Sequence, residues 1–312
     1  MRIGIVGAGM AGLACAEKLS RQNYAVQLFD KGRGPGGRMS TRRISTSAGE
    51  ASFDHGAPAF TASDPAFQQR IDAWIAAGLA AAWPAAGPVS YVGVPTMGAP
   101  IRQMAAAQPV RFAQRVLRID ATDLGWRFVL DQGEAIDVDL AVIATPAEQA
   151  SALLKPIAPV FAAQAAAVRS IACWTVMLAF DEKLAADIDW LQGGPGDAIG
   201  LAVRNNAKPG RTGPDAWVLQ ASAEWSRAHL EADPDWIADA LTAAFAIRIA
   251  AALPSPIARA AHRWRYANPV AAGPGIMFDA ARKLGVCGDW LVGPGVEAAW
   301  LSGNSLGARI AG

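Results

Sequence analysis

The sequence predicts an α/β protein: a first domain of βαβ type, then a second domain built on a mostly antiparallel sheet flanked by helices. Two observations predict it. Residues 1–38 open with an apolar run (Ile3, Ile5, Val6), continue through Gly7-Ala8-Gly9-Met10-Ala11-Gly12 into a helical segment at 13–19, and reach a second apolar run, 26–29, that ends on Asp30. Strand, glycine turn, helix and strand in that order form a dinucleotide-binding unit of the Rossmann type. Further along, strand patterns at 173–180, 199–203, 217–222 and 258–266, two of them connected by the loop 205–211 and the last preceded by a helical segment, suggest a mostly antiparallel sheet flanked by helices. A chain of 312 residues, 52% of them hydrophobic, has the material for both domains.

Each glycine of the turn answers a physical need. Gly7 lets the chain turn off its strand, Gly9 lets a pyrophosphate approach the backbone, and Gly12 lets the helix pack closely on the sheet. The helix N-terminus then offers free N–H groups and partial positive charge to phosphates. Asp30 follows Gly7 by 23 residues, the spacing of an acid that bonds ribose hydroxyls. Gly7, Gly9, Met10, Ala11, Gly12 and Asp30 are therefore candidate cofactor contacts.

Composition removes several function classes. A net charge of +1 gives no reason to expect nucleic acid or an anionic membrane as partner. The Ala-rich stretches are broken by Pro, Gly, Arg or Asp, so a bilayer span is not expected, nor is a signal peptide, since the first strand begins at residue 3. Cys15, Cys173 and Cys287 are far apart and the three histidines are scattered. A reducing cytoplasm fits that pattern better than disulfides do, and no metal site is expected.

After Asp30 the chain reads Lys31-Gly32-Arg33-Gly34-Pro35-Gly36-Gly37-Arg38-Met39. A glycine pair followed by arginine adds close backbone approach and a cation that can bond a pyrophosphate bidentately. This arrangement resembles the FAD-binding flavoproteins of the amine oxidase superfamily. The resemblance implies non-covalent FAD as cofactor and adds Lys31, Gly37, Arg38 and Met39 to its contacts. It also implies that Phe53-Asp54-His55-Gly56-Ala57 ends a strand beside the flavin, with Gly56 and Ala57 nearest the ring. His55 itself is read as a packed strand histidine rather than a base.

Asp64-Pro65 marks a helix start, followed by an apolar stripe of Phe67, Ile71, Trp74 and Ile75. A short strand is expected near 89–94. Residues 116–119, 126–130 and 140–144 read as strands, with turns at Asp123–Gly125 and Gln132–Gly133. In the superfamily this is a meander whose first strand, here near Val116, lies beside the adenine. A second Asp-Pro start, Asp233-Pro234, leads into Ile237, Leu241, Phe245 and Ile249 on one face. Alternation puts His262, Trp264 and Tyr266 on one side of a strand, as site wall or as core, with core preferred for Trp264. By resemblance, the terminal Gly288-Asp289 lies beside the ribityl and pyrophosphate. The helix start at Val296-Glu297-Ala298 would face the flavin pyrimidine edge with its amides. The FAD-binding domain is then discontinuous, 1–66, 103–152 and 278–312, and the substrate domain comprises 67–102 and 153–277.

No second fingerprint occurs: residues 193–200 are glycine-rich but lack the spacing and the strand-to-helix setting. The reductant would thus enter the flavin cavity itself, with O2 as acceptor. The aromatic cage of a classical amine oxidase is missing, for its position two residues before Glu297 is Gly295, and residues 269–276 hold neither aromatic nor cysteine. The whole chain is more similar to the renalase subgroup. The similarity is carried by residues 29–43, by 53–57, by Trp225-Ser226, by Arg263-Trp264-Arg265-Tyr266 and by 296–303. Departures are Ala57-Pro58-Ala59-Phe60, where Ala-Gln-Tyr-Phe is usual, and Ala298, where glycine is common. Renalases take a hydride from 1,2- or 1,6-dihydro isomers of NAD(P)H to flavin N5, and O2 then yields hydrogen peroxide. The substrate expected is accordingly a dihydronicotinamide nucleotide. No catalytic residue is identified. Asn206, Trp225, Arg265, Tyr266 and Trp300 are the candidates for the cavity. The alternatives are an amine oxidase or desaturase of the same fold, and a flavin- or nucleotide-binding protein without turnover.

Overall fold

The computed structural model describes residues 1–270 and 273–312. They divide into two compact units: Met1–Gly37, Ile101–Ser170 and Pro269–Gly312 make the first, Arg38–Pro100 and Ile171–Asn268 the second. The stretch 269–276 weighed above lies partly outside the described residues, at 271 and 272.

The first unit is built on a six-stranded sheet in the order Met277–Asp279, Leu284–Val286, Leu140–Ile143, Arg2–Val6, Ala25–Phe29, Val110–Arg111. The last five are parallel and only Met277–Asp279 runs antiparallel. Leu140–Ile143 is buried at all four positions, as a strand covered on both faces must be. One face packs on an antiparallel meander, Val116–Thr122, Gly125–Leu130 and Ala135–Val138. Val6, Ile143, Ile119, Trp126, Phe128 and Val138 share that core. Gly4 is there because a Cβ at its position would lie 2.6 Å from the Phe128 ring.

The opposite face takes the C-terminal helix Val296–Ala311. Gly285, which alternates with the core residues Leu284 and Val286, points at Leu306. That helix packs on the nucleotide helix, Met10–Ser20, almost backbone to backbone. A Cβ at Gly303 would fall 2.0 Å from the Ala11 carbonyl, and one at Gly307, one turn on, 2.8 Å from Lys18 Cβ.

The second unit carries a five-stranded sheet in the order Trp190–Gln192, Ile199–Arg204, Asp215–Ala221, Ser170–Phe180, Ala258–Pro269. Its first four strands pair antiparallel. Strand alternation sorts its residues cleanly. Trp174, Val176, Leu178, Trp217 and Leu219 meet Ile237, Leu241 and Phe245 of the helix Pro234–Arg248. On the other face Met177, Ala179, Ala216, Val218 and Ala258 meet Ala51 and Phe53 of a hairpin, Arg42–Thr46 and Gly49–Phe53. A three-stranded antiparallel sheet, Phe60–Thr61, Ser90–Gly93 and Ala80–Ala82, lies with the helix Pro65–Ala76 in the same unit.

Both Asp-Pro starts are helix N-termini: Asp64 accepts from Ala66 and Phe67 N–H, Asp233 from Asp235 and Trp236 N–H. Two apolar assignments need correction. Ile75 is exposed, and the helix of the second stripe ends at Arg248, although Ile249, its C-cap, still packs on the same core. The meander's own third strand is Ala135–Val138, which alternation did not mark, while Leu140–Ile143 leaves the meander for the parallel sheet. The units also part the chain elsewhere than the sequence-based segments. Residues 38–66 fall in the second unit, where the hairpin buries Ala51 and Phe53, and residues 153–170 fall in the first, where the helix Pro159–Ala167 joins the meander core.

Candidate active site

The glycine turn of the first unit has the geometry that a pyrophosphate site needs. Gly7 sits at φ +106°, with the Ala144 carbonyl 2.6 Å from where a Cβ would be. A Cβ at Gly12 would be 1.9 Å from the Gly7 carbonyl, whereas one at Gly9 would meet nothing within 4 Å. The turn is therefore closed where it must pack and open where a ligand must approach. Gly9 caps the nucleotide helix without any side-chain bond, so the first N–H groups have no capping side chain. Asp30 fixes the turn from beside it: Oδ2 accepts from Ala8 N–H at 2.7 Å and Oδ1 from Gly32 N–H at 2.7 Å. Each oxygen keeps a second lone pair for a hydroxyl donor. Lys31 donates to Gln149 Oε1 at 3.1 Å, and burial with Arg115 nearby lowers its pKa against the pull of Asp30.

The remaining cofactor candidates of this unit follow the same logic. Met10 and Ala11 are buried in the first turn of the helix, and Val116 is buried at the start of the meander. Gly288 and buried Asp289 follow the strand Leu284–Val286 after Cys287, with Gly288 N–H donating to Ser302 Oγ at 3.0 Å. Gly295 (φ +124°) then starts the C-terminal helix with no side-chain cap and open space at its Cβ position, ahead of Val296, Glu297 and Ala298. Trp300 is buried on the same helix.

In the second unit, Arg38 and Gly56 are neighbours. A Cβ at Gly56 would lie 2.0 Å from the Arg38 carbonyl, and Ala57 N–H donates to that carbonyl at 2.7 Å. Arg38 Nη1 donates to the Ala267 carbonyl at 2.9 Å and Met39 is buried; Gly37, the last residue of its segment of the first unit, has φ +51°. The turn at 55–57 is clamped twice more: Trp264 Nε1 donates to the His55 carbonyl at 2.8 Å and Gln220 Nε2 to the Gly56 carbonyl at 2.6 Å. The His55 ring packs edge-on against His262 and tilted against Trp264, with centroids 5.0 and 5.1 Å away. Burial, with His262 beside it, holds the His55 pKa down at about 4, so the ring is neutral near pH 7.

Sequence reasoning missed the anchor of this turn. Asp54, Lys208 and Arg211 have fully buried side chains. Asp54 accepts from Lys208 Nζ at 3.1 Å, Arg211 Nη2 at 2.6 Å, Thr41 Oγ1 at 2.7 Å and Met97 N–H at 3.0 Å. Burial alone would push the Asp54 carboxyl up; the two cations overcome it and hold the group well below the usual carboxylate range.

Comparison with known proteins adds the family. Residues 5–74 match the NAD(P)-binding Rossmann-like domain, and residues 83–303, well over half of the chain, match the flavin containing amine oxidoreductase family. The chain belongs to the flavin containing amine oxidoreductases. Among solved structures it is similar to a putative protoporphyrinogen oxidase from Exiguobacterium sp. 255-15 (TM-score 0.75, 13% identity, 99% of this chain and 98% of that one). It is also similar to cyclohexylamine oxidase from Brevibacterium oxydans (TM-score 0.69, 14% identity, 99% and 98%). At such identities the likeness concerns the fold. A curated relative, the zeta-carotene-forming phytoene desaturase of Myxococcus xanthus, is 49% identical over 43 residues, which are 14% of this chain and 8% of that protein.

As a member of this family the chain is an FAD-dependent oxidoreductase. The open Gly9, the uncapped helix start and the Asp30 carboxylate fit the pyrophosphate and a ribose of FAD. Among the described residues no helix is long and apolar enough to cross a membrane, and no cluster of His, Cys, Asp or Glu suits a metal ion.

The cavity candidates are not brought together. His262, Trp264 and half-buried Tyr266 do share the sheet face that carries the 55–57 turn. Arg265 points to the other face, where Glu231 holds it through two bonds of 2.6 and 2.9 Å. Trp225 is on that other face too, packed beside the helix-covered core and stacked on Trp236. Asn206 is spent on the backbone, accepting from Ala216 N–H at 2.7 Å and donating to the Gly213 carbonyl. It lines a charged cavity of about 430 Å³ with Asp181, Lys183, Arg204 and Asp215, to which no cofactor candidate contributes. Gln220, which the sequence did not single out, is on the turn's face; the paired Thr175↔Gln220 register is the signal that locates it.

Proposed function

We propose that this chain is an oxidase of the renalase type, oxidising 1,2- or 1,6-dihydro isomers of NAD(P)H to NAD(P)+ in a cytoplasmic setting, with O2 as the final acceptor. The observation that carries this reading is that, among the described residues, the only carboxylate beside the 55–57 turn is Asp54, which two buried cations enclose, while the charged neighbours Arg38 and Arg42 are cations. The side chains named on the turn's sheet face are Gln220, His262, Trp264 and Tyr266. His55 is held neutral, burial and nearby Arg42 lower the His262 pKa, and the Asp54 carboxylate is enclosed between two cations.

An alkylammonium substrate would be favoured by a carboxylate or an aromatic cage. The position assigned to one wall of that cage is Gly295, at a φ that an aromatic residue adopts only with strain. A dihydropyridine is uncharged at its reacting ring and becomes aromatic on losing hydride, so it needs positioning rather than a base. When bound, FAD would supply the hydride-accepting group, with O2 as the final oxidant giving hydrogen peroxide. The chain's own share is to bind and orient. In the first unit Gly9 and the nucleotide helix would take the pyrophosphate and Asp30 a ribose; in the second, taken by itself, Arg38 offers a cation and the clamped Gly56–Ala57 backbone a fixed wall.

Non-covalent attachment suits the cysteines. All three are free; Cys15 and Cys287 are buried, and burial pushes the Cys173 thiol up to about 11, far from a reactive thiolate. An aerobic assay tests the reading: each dihydronicotinamide isomer consumed should yield one NAD(P)+ and one hydrogen peroxide. Peroxide formed from a primary amine, with neither isomer consumed, would return the chain to amine oxidation.

A further inference from the structure

We propose that Gln220 reads the carboxamide of the nicotinamide ring, its side-chain oxygen accepting the amide N–H of the substrate; this rests on the oxidase reading above. The Gly56 carbonyl can only accept, so the group bonded to it at 2.6 Å must be the Gln220 amide nitrogen. That bond fixes the rotation of the amide and leaves Oε1 as its outward end. Among the described residues no donor bonds Oε1, and Gln220 is half-buried. A pre-oriented acceptor without a partner, beside the backbone of the proposed flavin wall, is built to receive a donor from outside the protein.

The surroundings select the chemistry of that donor. Gln220 follows Ala216 and Val218 along one face of its strand, and that face is apolar up to Phe53. Its cross-strand partner Thr175 is fully buried. On the same face His262, Trp264 and Tyr266 offer aromatic surface without a charge. A flat, neutral ring that carries an amide fits these groups. An ammonium would find an acceptor but no counter-charge, and a carboxylate would meet the Gln220 oxygen with like polarity. The amide N–H₂ of a dihydronicotinamide donates to Oε1 while the ring lies on the aromatic strip. Gln220 is thus a specificity residue for the nucleotide and takes no part in the hydride step.

The test compares the carboxamide with its 3-acetylpyridine analogue, which keeps the ring and the carbonyl but lacks the N–H. Anaerobic reduction of the FAD-loaded protein by the dihydro forms of both should favour the carboxamide about five- to tenfold, the scale of one hydrogen bond. Gln220→Met, similar in size and without an acceptor oxygen, should abolish that preference while both nucleotides still reduce the flavin. A Met variant that keeps the preference would reduce Gln220 to a clamp for Gly56 and overturn the proposal. Should that variant fail to load FAD, the parent protein decides. NAD+ should perturb the flavin spectrum at concentrations at least about tenfold lower than its nicotinic acid analogue does, and equal affinities would overturn the proposal. A parent protein reduced by neither dihydro nucleotide would instead show that the oxidase reading itself has failed.

Discussion

Replacing Asp54 by asparagine should cost far more stability than its distance from the glycine signatures suggests. The carboxylate is fully buried with Lys208 and Arg211 and accepts four hydrogen bonds, two of them from cations. Asparagine of the same shape leaves two buried like charges without a counter-ion and turns an N–H₂ towards donors. Breaking a buried pair from one side costs about 3–5 kcal/mol. Lys208→Met should cost less, because a neutral Asp54–Arg211 pair remains. Urea unfolding at pH 7 with saturating FAD gives both values, and Asp120→Asn, whose carboxylate pairs with Arg118 at the surface, serves as control. The pH dependence follows from the sign. The folded pKa is depressed, so the contribution is complete above the ordinary carboxylate range and is lost as pH falls below it. An Asp54→Asn protein within about 1 kcal/mol of the parent, or one more stable than Lys208→Met, would refute this reasoning.

Other outcomes follow from the same geometry. Gly9→Ala should fold normally yet bind FAD weakly, because its Cβ meets only open space, whereas Gly12→Ala should lose folded protein through its 1.9 Å clash with the Gly7 carbonyl; cofactor titration and thermal unfolding separate the two. Asp30→Ala should weaken FAD by roughly 1–3 kcal/mol, read as cofactor lost on dilution, and a fully flavinated variant would remove Asp30 from the site. Acid precipitation should release FAD into the supernatant, and flavin held in the pellet would contradict non-covalent binding. His55 is neutral in the folded state above about pH 4 and protonates more readily when unfolded, so its contribution should fade as pH drops from about 6.5 towards 4. Stability of the parent against His55→Gln over that range checks it, and identical slopes would contradict it.

The parts of this site legible in the sequence are those with a local cause. Gly7, Gly9 and Gly12 were readable because their spacing falls within six residues, although the carbonyl that crowds Gly7 belongs to distant Ala144. Asp64-Pro65 and Asp233-Pro234 were readable because capping is a local bond. The buried ion cluster was not, since Asp54 meets Lys208 and Arg211 across 154 and 157 residues and nothing local marks such a pairing. The hairpin Arg42–Thr46 and Gly49–Phe53 hides for a related reason: it commits only Ala51 and Phe53 to the core, too few for a visible alternation. Alternation placed His262, Trp264 and Tyr266 together but gave no sign of which face meets the 55–57 turn, and the cavity candidates Arg265 and Trp225 lie on the other face. Gln220 emerges only when the strand register is known.

The most direct test of the renalase-type reading is anaerobic rapid mixing of the FAD-loaded protein with separate 1,2-dihydro, 1,6-dihydro and 1,4-dihydro nucleotides and with a primary amine. Hydride transfer needs the pyridine carbon within about 3–3.5 Å of its acceptor, so a cavity that fixes the ring discriminates between isomers. Flavin bleaching in seconds or less by the 1,2- or 1,6-dihydro form, with the 1,4-dihydro form and the amine far slower, is the predicted result. Rapid bleaching by the amine, with no response to either unusual isomer, would contradict it.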